Sequence, residues 1–274
     1  MRKFPRFISK QVGRIIPAKS LFKISTPVFL PFYHVVSDEK LPHILNYNYR
    51  NIIQFEHELD FFLKYFKPVS LEYLIENKGT REKVFHLSFD DGLKECAEVV
   101  APILLRKGIP STFFVNTGFV DNKKLFHKYK ASIIFGELQK NLNPLVEKLL
   151  AENNFKGSAI LKAEFSQTEI LDEIAEMLGI NFNLFLETQK PYLSTEQLLK
   201  LKKEGFSIGA HSVDHPEFYT ISEEKQLEQV KKSMDWLNEN IQPEIKTFAF
   251  PFTDFGVSAK ILETIQQEKI CDIT

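Results

Sequence analysis

The fold of this chain is decided by residues 84–92, which have the sequence VFHLSFDDG. The first six residues read as a short, mostly apolar strand, and that strand ends abruptly on two adjacent carboxylates and a glycine. Two like charges at the end of a strand are costly unless a compensating group lies near them. A metal ion, a cation of the substrate or solvent would meet this need, and the rest of the sequence decides between them.

The composition is that of a folded protein without a bias towards nucleic acids. The chain has 274 residues, 43% of them hydrophobic, which is enough for one large α/β domain or two small ones. Its 35 basic and 36 acidic residues give a net charge of −1, whereas nucleic-acid binding needs a basic surface. Cys96 and Cys271 have no paired spacing and suit a reducing compartment. No apolar run reaches the roughly 20 residues of a membrane-spanning helix.

Residues 1–27 differ from the rest of the chain. They are rich in lysine and arginine, contain no acidic side chain and interleave apolar residues. A signal peptide needs a continuous apolar run of about 7–15 residues, which is missing here. A basic amphipathic arm can lie on an anionic membrane surface, and the alternative is an arm packed on the domain. The sequence therefore predicts a cytoplasmic protein, with contact to the inner face of the membrane as one interpretation of the arm.

The remaining chain alternates strands and helices. This order implies parallel strands with helical crossovers, and the short strands favour an irregular (β/α) barrel of about seven strands over an open sheet. Helices are expected to end at Gly108 and to begin after Ser194 and Ser222. The strands are predicted at residues 27–34, 68–69, 84–89, 111–115, 206–210, 246–250 and 270–273.

Residues 118–192 interrupt the alternation. Their apolar spacing is helical and they contain no convincing strand, which predicts a helical insertion over the mouth of a catalytic domain spanning residues 28–274. The chain stops on its last predicted strand, which favours a truncated fragment of a longer protein.

A second polar cluster follows another predicted strand. His211 and His215 come directly after residues 206–210 and before Pro216, so they lie at the same end of the barrel as the paired aspartates, where barrel enzymes keep their active sites. Two imidazoles and one carboxylate suit a zinc-like ion with an open position for water. The other carboxylate can then move a proton. The Asp-Asp-Gly motif alone could be an ordinary turn, and the two histidines alone could be surface residues. Their combination at strand ends predicts the site.

Together, these motifs resemble those of the polysaccharide deacetylases, which include chitin, chitooligosaccharide and peptidoglycan deacetylases. The resemblance rests on SFDDG at residues 88–92, on His211-Ser212-x-x-His215 and on the later aromatic-proline segment, and it covers residues 28–117 and 190–274. It implies an irregular (β/α) barrel and metal-dependent hydrolysis of an acetyl group, usually N-acetyl, on a glycan, peptidoglycan or lipid-linked sugar.

The resemblance also implies roles for individual residues. Asp90 matches the catalytic base, and Asp91, His211 and His215 match the ligands of a divalent ion. Zinc is the first choice for that ion, with cobalt, manganese or nickel as alternatives. Ser212 would support the loop by hydrogen bonding.

Two elements of the family pattern are missing. The segment at residues 247–256, TFAFPFTDFG, has no arginine to steady the base. Its Phe250, Pro251 and Phe252 would form a groove wall for a sugar ring or simply end an aromatic strand. No histidine lies beyond His215, so the general acid is unidentified. His34 is a candidate neighbour of the site, with a hydrogen-bonded core histidine as the alternative.

Three functions therefore compete. The first is a carbohydrate deacetylase, the second is an amide hydrolase of the same scaffold acting on a non-sugar substrate, and the third is a catalytically silent carbohydrate-binding protein. The insertion and the aromatic segment favour a sugar. The presence of both aspartates and both histidines favours catalysis. The sequence does not predict an oligomeric state.

Overall fold

In the computed structural model, residues 27–140 and 144–274 are described. The predicted arm, apart from Pro27, lies outside these residues. The strands are β1 (Val28–Phe29), β2 (Phe32–Tyr33), β3 (Lys67–Pro68), β4 (Val84–Phe85), β5 (Leu87–Phe89), β6 (Ser111–Val115) and β7 (Ser207–Ala210). The α-helices are α1 (Ile52–Tyr65), α2 (Leu71–Glu76), α3 (Ala101–Lys107), α4 (His127–Leu138), α5 (Pro144–Glu152), α6 (Thr168–Met177), α7 (Phe182–Gln189), α8 (Thr195–Lys203), α9 (Glu223–Asn240) and α10 (Ala259–Gln267).

The strands pair in parallel, as the alternation of strands and helices predicted. Their orders are β1-β4-β3 and β2-β5-β6-β7. The two sheets are continuous, because every second N–H from Val84 to Asp90 donates to a carbonyl between Pro27 and Tyr33. Isolated bridges then extend the ladder from β7 to Phe248 and from Thr247 to Ile273. The prediction of an α/β fold with parallel strands is confirmed.

Two predicted strands are much shorter than expected. Of residues 246–250 and 270–273, only Thr247, Phe248 and Ile273 form bridges in the part of the chain that is described. The chain turns away after Phe250, because Pro251 has no N–H to donate and Phe252 adopts a positive φ of 59°. The predictions of full strands at these two places were therefore wrong.

The helix limits follow local chemistry. Ser194 and Gln197 form the predicted capping box at the start of α8, and Ser222 accepts from the N–H of Lys225 at the start of α9. Gly108 ends α3 with a φ of 66°, a left-handed conformation that glycine adopts without a steric penalty. These three predictions are confirmed.

The segment predicted as an insertion is helical. Among its described residues from 118 to 192, α4 to α7 and short 3₁₀ turns are the helical elements, and Tyr192 forms an isolated antiparallel bridge with Leu93. Ala131 and Ile134 of α4 pack with α5 and α6 in a buried cluster, while Tyr129 of the same helix packs with the loop that follows β2. Helix α4 therefore joins the insertion to the strand ends. In the described residues, no helix is long and apolar enough to cross a membrane.

Gly209 in β7 has no space for a side chain. A Cβ there would lie 2.6 Å from the Phe114 ring and 2.7 Å from Thr247 Cγ2. We expect Gly209→Ala to lower the free energy of unfolding by about 1–3 kcal/mol, as overpacking does in other cores. Urea unfolding measures this. Gly136→Ala is the matched control, because its Cβ would meet only Leu45, at 3.8 Å. An equal loss of unfolding free energy in both variants would contradict the close packing assigned to Gly209.

Candidate active site

Three side chains from two strand ends converge at one point. Asp91 follows β5, and His211 and His215 follow β7. Asp91 Oδ1 lies 3.2 Å from His215 Nε2 and 3.9 Å from His211 Nε2, and the two Nε2 atoms are 3.1 Å apart. The structure therefore brings the three predicted metal ligands together.

The arrangement fits a divalent ion. A tetrahedral ion with ligands at about 2.0–2.1 Å would separate its donor atoms by about 3.3 Å, close to the observed separations. The three residues are only 2–3% exposed. Within the described part of the chain, Asp91 Oδ1 is buried without a hydrogen-bond partner. A buried carboxylate oxygen without a partner is costly unless a cation satisfies it.

His211 is held in the form that binds metals. His211 Nδ1 lies 2.8 Å from the Ala249 carbonyl, which can only accept, so Nδ1 carries the proton and the lone pair of Nε2 faces Asp91. Burial and the neighbouring His215 lower the pKa of His211 to about 3. Burial alone would raise the pKa of Asp91, but the adjacent His215 holds it well below its usual range. A neutral imidazole and an ionised carboxylate are the forms that coordinate metals.

The site loops contain backbone conformations that non-glycine residues rarely adopt. Asp91, Ser212 and His215 have positive φ angles of 72°, 72° and 54°. Such conformations persist when surrounding contacts impose them. Ser212 Oγ accepts from the His215 N–H at 3.0 Å, and the Asn116 side chain donates to the His211 carbonyl. Ser212 thus lies at the support position predicted for it. Asn116 follows β6 directly, but no motif marks it in the sequence.

Asp90 lies beside the three ligands in the wall of a cavity of about 500 Å³. Burial raises the pKa of Asp90 to about 7, with a smaller lowering by His34 and a smaller raising by Asp91. A carboxylate with such a pKa can take up a proton near neutral pH. Its position and its ionisation both suit a general base.

Aromatic side chains form much of the cavity wall. Phe250 and Phe252 line it, together with Phe32, Tyr47 and Phe126. Phe252 is 50% exposed, and its ring lies 4.5 Å from the ring of His215. Pro251, in contrast, is buried and turns the chain between the two phenylalanines. Of the predicted substrate-binding segment, the structure therefore places the two aromatic residues at the cavity.

His34 lies in the same cavity. Its ring is half-buried, 5.8 Å from the ring of Phe32 and 5.1 Å from that of Tyr47. The interpretation of His34 as a core histidine was wrong, because the first strand ends at the cavity and not in the apolar interior.

Helix α4 and its neighbours also contribute polar contacts that no sequence motif indicates. Tyr129 Oη donates to Asp91 Oδ2 at 3.1 Å. Glu217, two residues after His215, is buried and pairs with Lys128 at 3.1 Å and with His127 at 3.3 Å. Burial alone would raise the pKa of Glu217, but hydrogen bonds from His127 and from the Phe165 N–H lower it to about 2. These partners are far apart in sequence. The one local feature that points to these contacts is the pair of polar residues, His127 and Lys128, at the start of α4.

The sequence matches the polysaccharide deacetylase family over residues 77–268. The chain therefore belongs to this family of hydrolases, which act on carbon–nitrogen bonds other than peptide bonds. No curated protein is similar enough in sequence to be matched.

Several solved structures share the fold. The deacetylase PplD of Streptococcus pyogenes, solved in complex with acetate, is 18% identical, covers 88% of this chain and 79% of its own, and has a TM-score of 0.53. IcaB from Ammonifex degensii is 17% identical, with coverages of 89% and 81% and a TM-score of 0.56. A de-N-acetylase from Aggregatibacter actinomycetemcomitans is 14% identical, with coverages of 88% and 84% and a TM-score of 0.53.

The three converging donors predict how metal binding responds to substitution. We expect Asp91→Ala and His215→Ala to weaken zinc binding by more than about 100-fold. Losing a residue that only hydrogen-bonds a metal ligand costs about 10–100-fold in affinity, and losing the ligand itself should cost more. Elemental analysis after dialysis against zinc measures the bound ion. Asp90→Asn is the control and should keep it. Wild-type metal content in Asp91→Ala would refute the ligand assignment.

Proposed function

We propose that this chain is a metal-dependent deacetylase that removes the N-acetyl group of an acetylated sugar within a glycan. The observation that carries the proposal is the buried cluster of Asp91, His211 and His215, with donor atoms 3.1–3.9 Å apart and Asp90 next to it in an aromatic cavity. Membership of the polysaccharide deacetylases supports an acetylated sugar as the substrate.

The cavity has the size and surface that a sugar needs. Its volume of about 500 Å³ lies within the range of roughly 300–1,000 Å³ found for small-molecule sites. Phe32 and Phe252 are 62% and 50% exposed, so flat apolar surfaces face the bound ligand. The apolar face of a sugar ring can pack on such a surface, while its hydroxyl groups remain hydrated. This surface favours a sugar over a small non-sugar amide.

The donor set suits zinc first, with cobalt, manganese or nickel as alternatives. When bound by Asp91, His211 and His215, a divalent ion supplies a Lewis acid that polarises the acetyl carbonyl and acidifies water. The chain's own residues would then move the protons. Asp90, with a pKa of about 7, takes the proton of the attacking water. The carbon–nitrogen bond breaks, and the products are acetate and the free amine of the sugar.

We assign the proton donor to His34. Among the described residues, the cavity is lined by three histidines, and two of them are the proposed metal ligands. His34 is the third, and its position between Phe32 and Tyr47 leaves it half-buried beside the substrate space. A nitrogen leaving group needs a proton, because an amide anion is too basic to leave. In this proposal, His34 donates that proton.

Replacement of Asp90 tests the proposed reaction. We expect Asp90→Asn to reduce acetate release from N-acetylated chitooligosaccharides by about 10²–10⁴-fold, the usual contribution of a general base, while zinc stays bound. An enzyme-coupled acetate assay measures the rate. Wild-type turnover in Asp90→Asn would exclude Asp90 as the base. A wild-type protein that binds zinc and the oligosaccharide but releases no acetate would show a silent binding protein instead.

Two substrates with different leaving groups test the proposed role of His34 as the proton donor. We expect His34→Ala to reduce deacetylation of an N-acetyl sugar by about 10²–10⁴-fold. Hydrolysis of 4-nitrophenyl acetate should change little, because its leaving group needs no proton. His57→Ala, on the exposed face of α1, is the control and should preserve both rates. An equal loss on both substrates in His34→Ala would show that His34 does not act as the acid.

A further inference from the structure

We propose that Tyr129, on helix α4 of the insertion, is a positioning residue that fixes the Asp91 carboxylate for metal binding. This inference rests on the proposed metal site and makes the insertion a part of that site. The metal-binding residues named by the family pattern come from the strand ends alone. The structure adds a hydroxyl group from a different part of the chain.

The two oxygens of Asp91 have different surroundings. Oδ1 faces the histidines, 3.2 Å from His215 Nε2, and has no hydrogen-bond partner within the described residues. Oδ2 accepts a hydrogen bond from Tyr129 Oη at 3.1 Å. Rotation of the carboxylate would break this bond, so Tyr129 keeps Oδ1 on the side of the histidines, where it would be available to a bound ion. Such outer hydrogen bonds orient ligands in other metal sites.

The direction of the hydrogen bonds follows from the ionised carboxylate. Because Asp91 can only accept, the hydroxyl proton of Tyr129 points to Oδ2. The hydroxyl of Tyr47, 3.3 Å away, then donates to Tyr129 Oη. Tyr47 also lines the cavity. A chain of hydroxyl groups therefore connects the substrate space to the back of the metal ligand.

Tyr129 is held firmly enough to position another group. Its side chain is completely buried. Its ring lies 5.1 Å from the ring of His43 and 5.0 Å from that of Phe126. The preceding residue, Lys128, pairs at 3.1 Å with Glu217, which lies just beyond His215. Helix α4 thus contacts the loops of two proposed ligands, and packing fixes the tyrosine between them.

Tyr192 provides a matched control for the loss of a buried tyrosine hydroxyl. It is also buried, and its Oη accepts from the Phe126 N–H at 2.9 Å. Its ring stacks on that of Tyr129, with centroids 6.2 Å apart. Tyr192→Phe therefore removes a buried hydrogen bond beside Tyr129 and leaves the bond from Tyr129 to Asp91 in place.

The experiment measures the zinc affinity of the full chain by competition with a chromophoric chelator. We expect Tyr129→Phe to bind zinc about 10–100-fold more weakly than the wild type, the usual cost of losing an outer partner of a ligand. Tyr192→Phe should bind as the wild type does, even if its melting temperature falls. Equal affinities of Tyr129→Phe and Tyr192→Phe would overturn the inference.

Two further outcomes keep the test decisive. If Tyr129→Phe does not fold, Tyr47→Phe replaces it, because that variant removes the donor to Tyr129. Weaker zinc binding is expected, because the bond from Tyr47 strengthens the bond from Tyr129 to Asp91 within the hydrogen-bonded chain, and unchanged binding would overturn the inference. Failure of the wild-type protein to bind zinc would instead overturn the proposed metal site, so the two failures are distinguishable.

Discussion

The buried carboxylate of Asp91 is the constraint on which the site depends. A charge removed from water must be compensated by partners, because its desolvation is costly. Asp91 is 3% exposed, and its partners come from two other parts of the chain. His211 and His215 follow β7, while Tyr129 comes from the insertion. Strands β5 and β7 flank β6, so their ends meet only when the parallel sheet is correctly formed.

The strained loops show how the sheet supports this charge. Asp91, Ser212 and His215 each hold a positive φ, at a cost of about 1–3 kcal/mol per residue. Asn116, directly after β6, donates to the His211 carbonyl between the two ligand loops. Gly92 leaves room for Val115, whose Cγ1 would lie 2.9 Å from a Cβ at this position. Contacts from the end of β6 therefore help to hold both loops in their strained conformations.

The elements that the sequence predicted well are those encoded by neighbouring residues. The strand at 84–89 and the helix limits at Gly108 and Ser194 follow from apolar spacing and capping. The contact of Tyr129 with Asp91 joins residues 38 positions apart, and that of His127 with Glu217 joins residues 90 apart. No short pattern encodes such pairs. The strand predicted at 246–250 is shorter for a different reason, since the chain turns away at Pro251 and Phe252.

The missing arginine has a physical consequence for Asp90. An opposite charge lowers the pKa of a carboxyl group, and the segment at residues 247–256 contains no arginine to supply one. In this chain, burial raises the pKa of Asp90 to about 7, and His34 opposes that rise. The proposed reaction needs an ionised Asp90. The charge interaction with His34 favours that ionised form, so in this proposal one imidazole steadies the base and also lies in the cavity where the leaving group needs a proton.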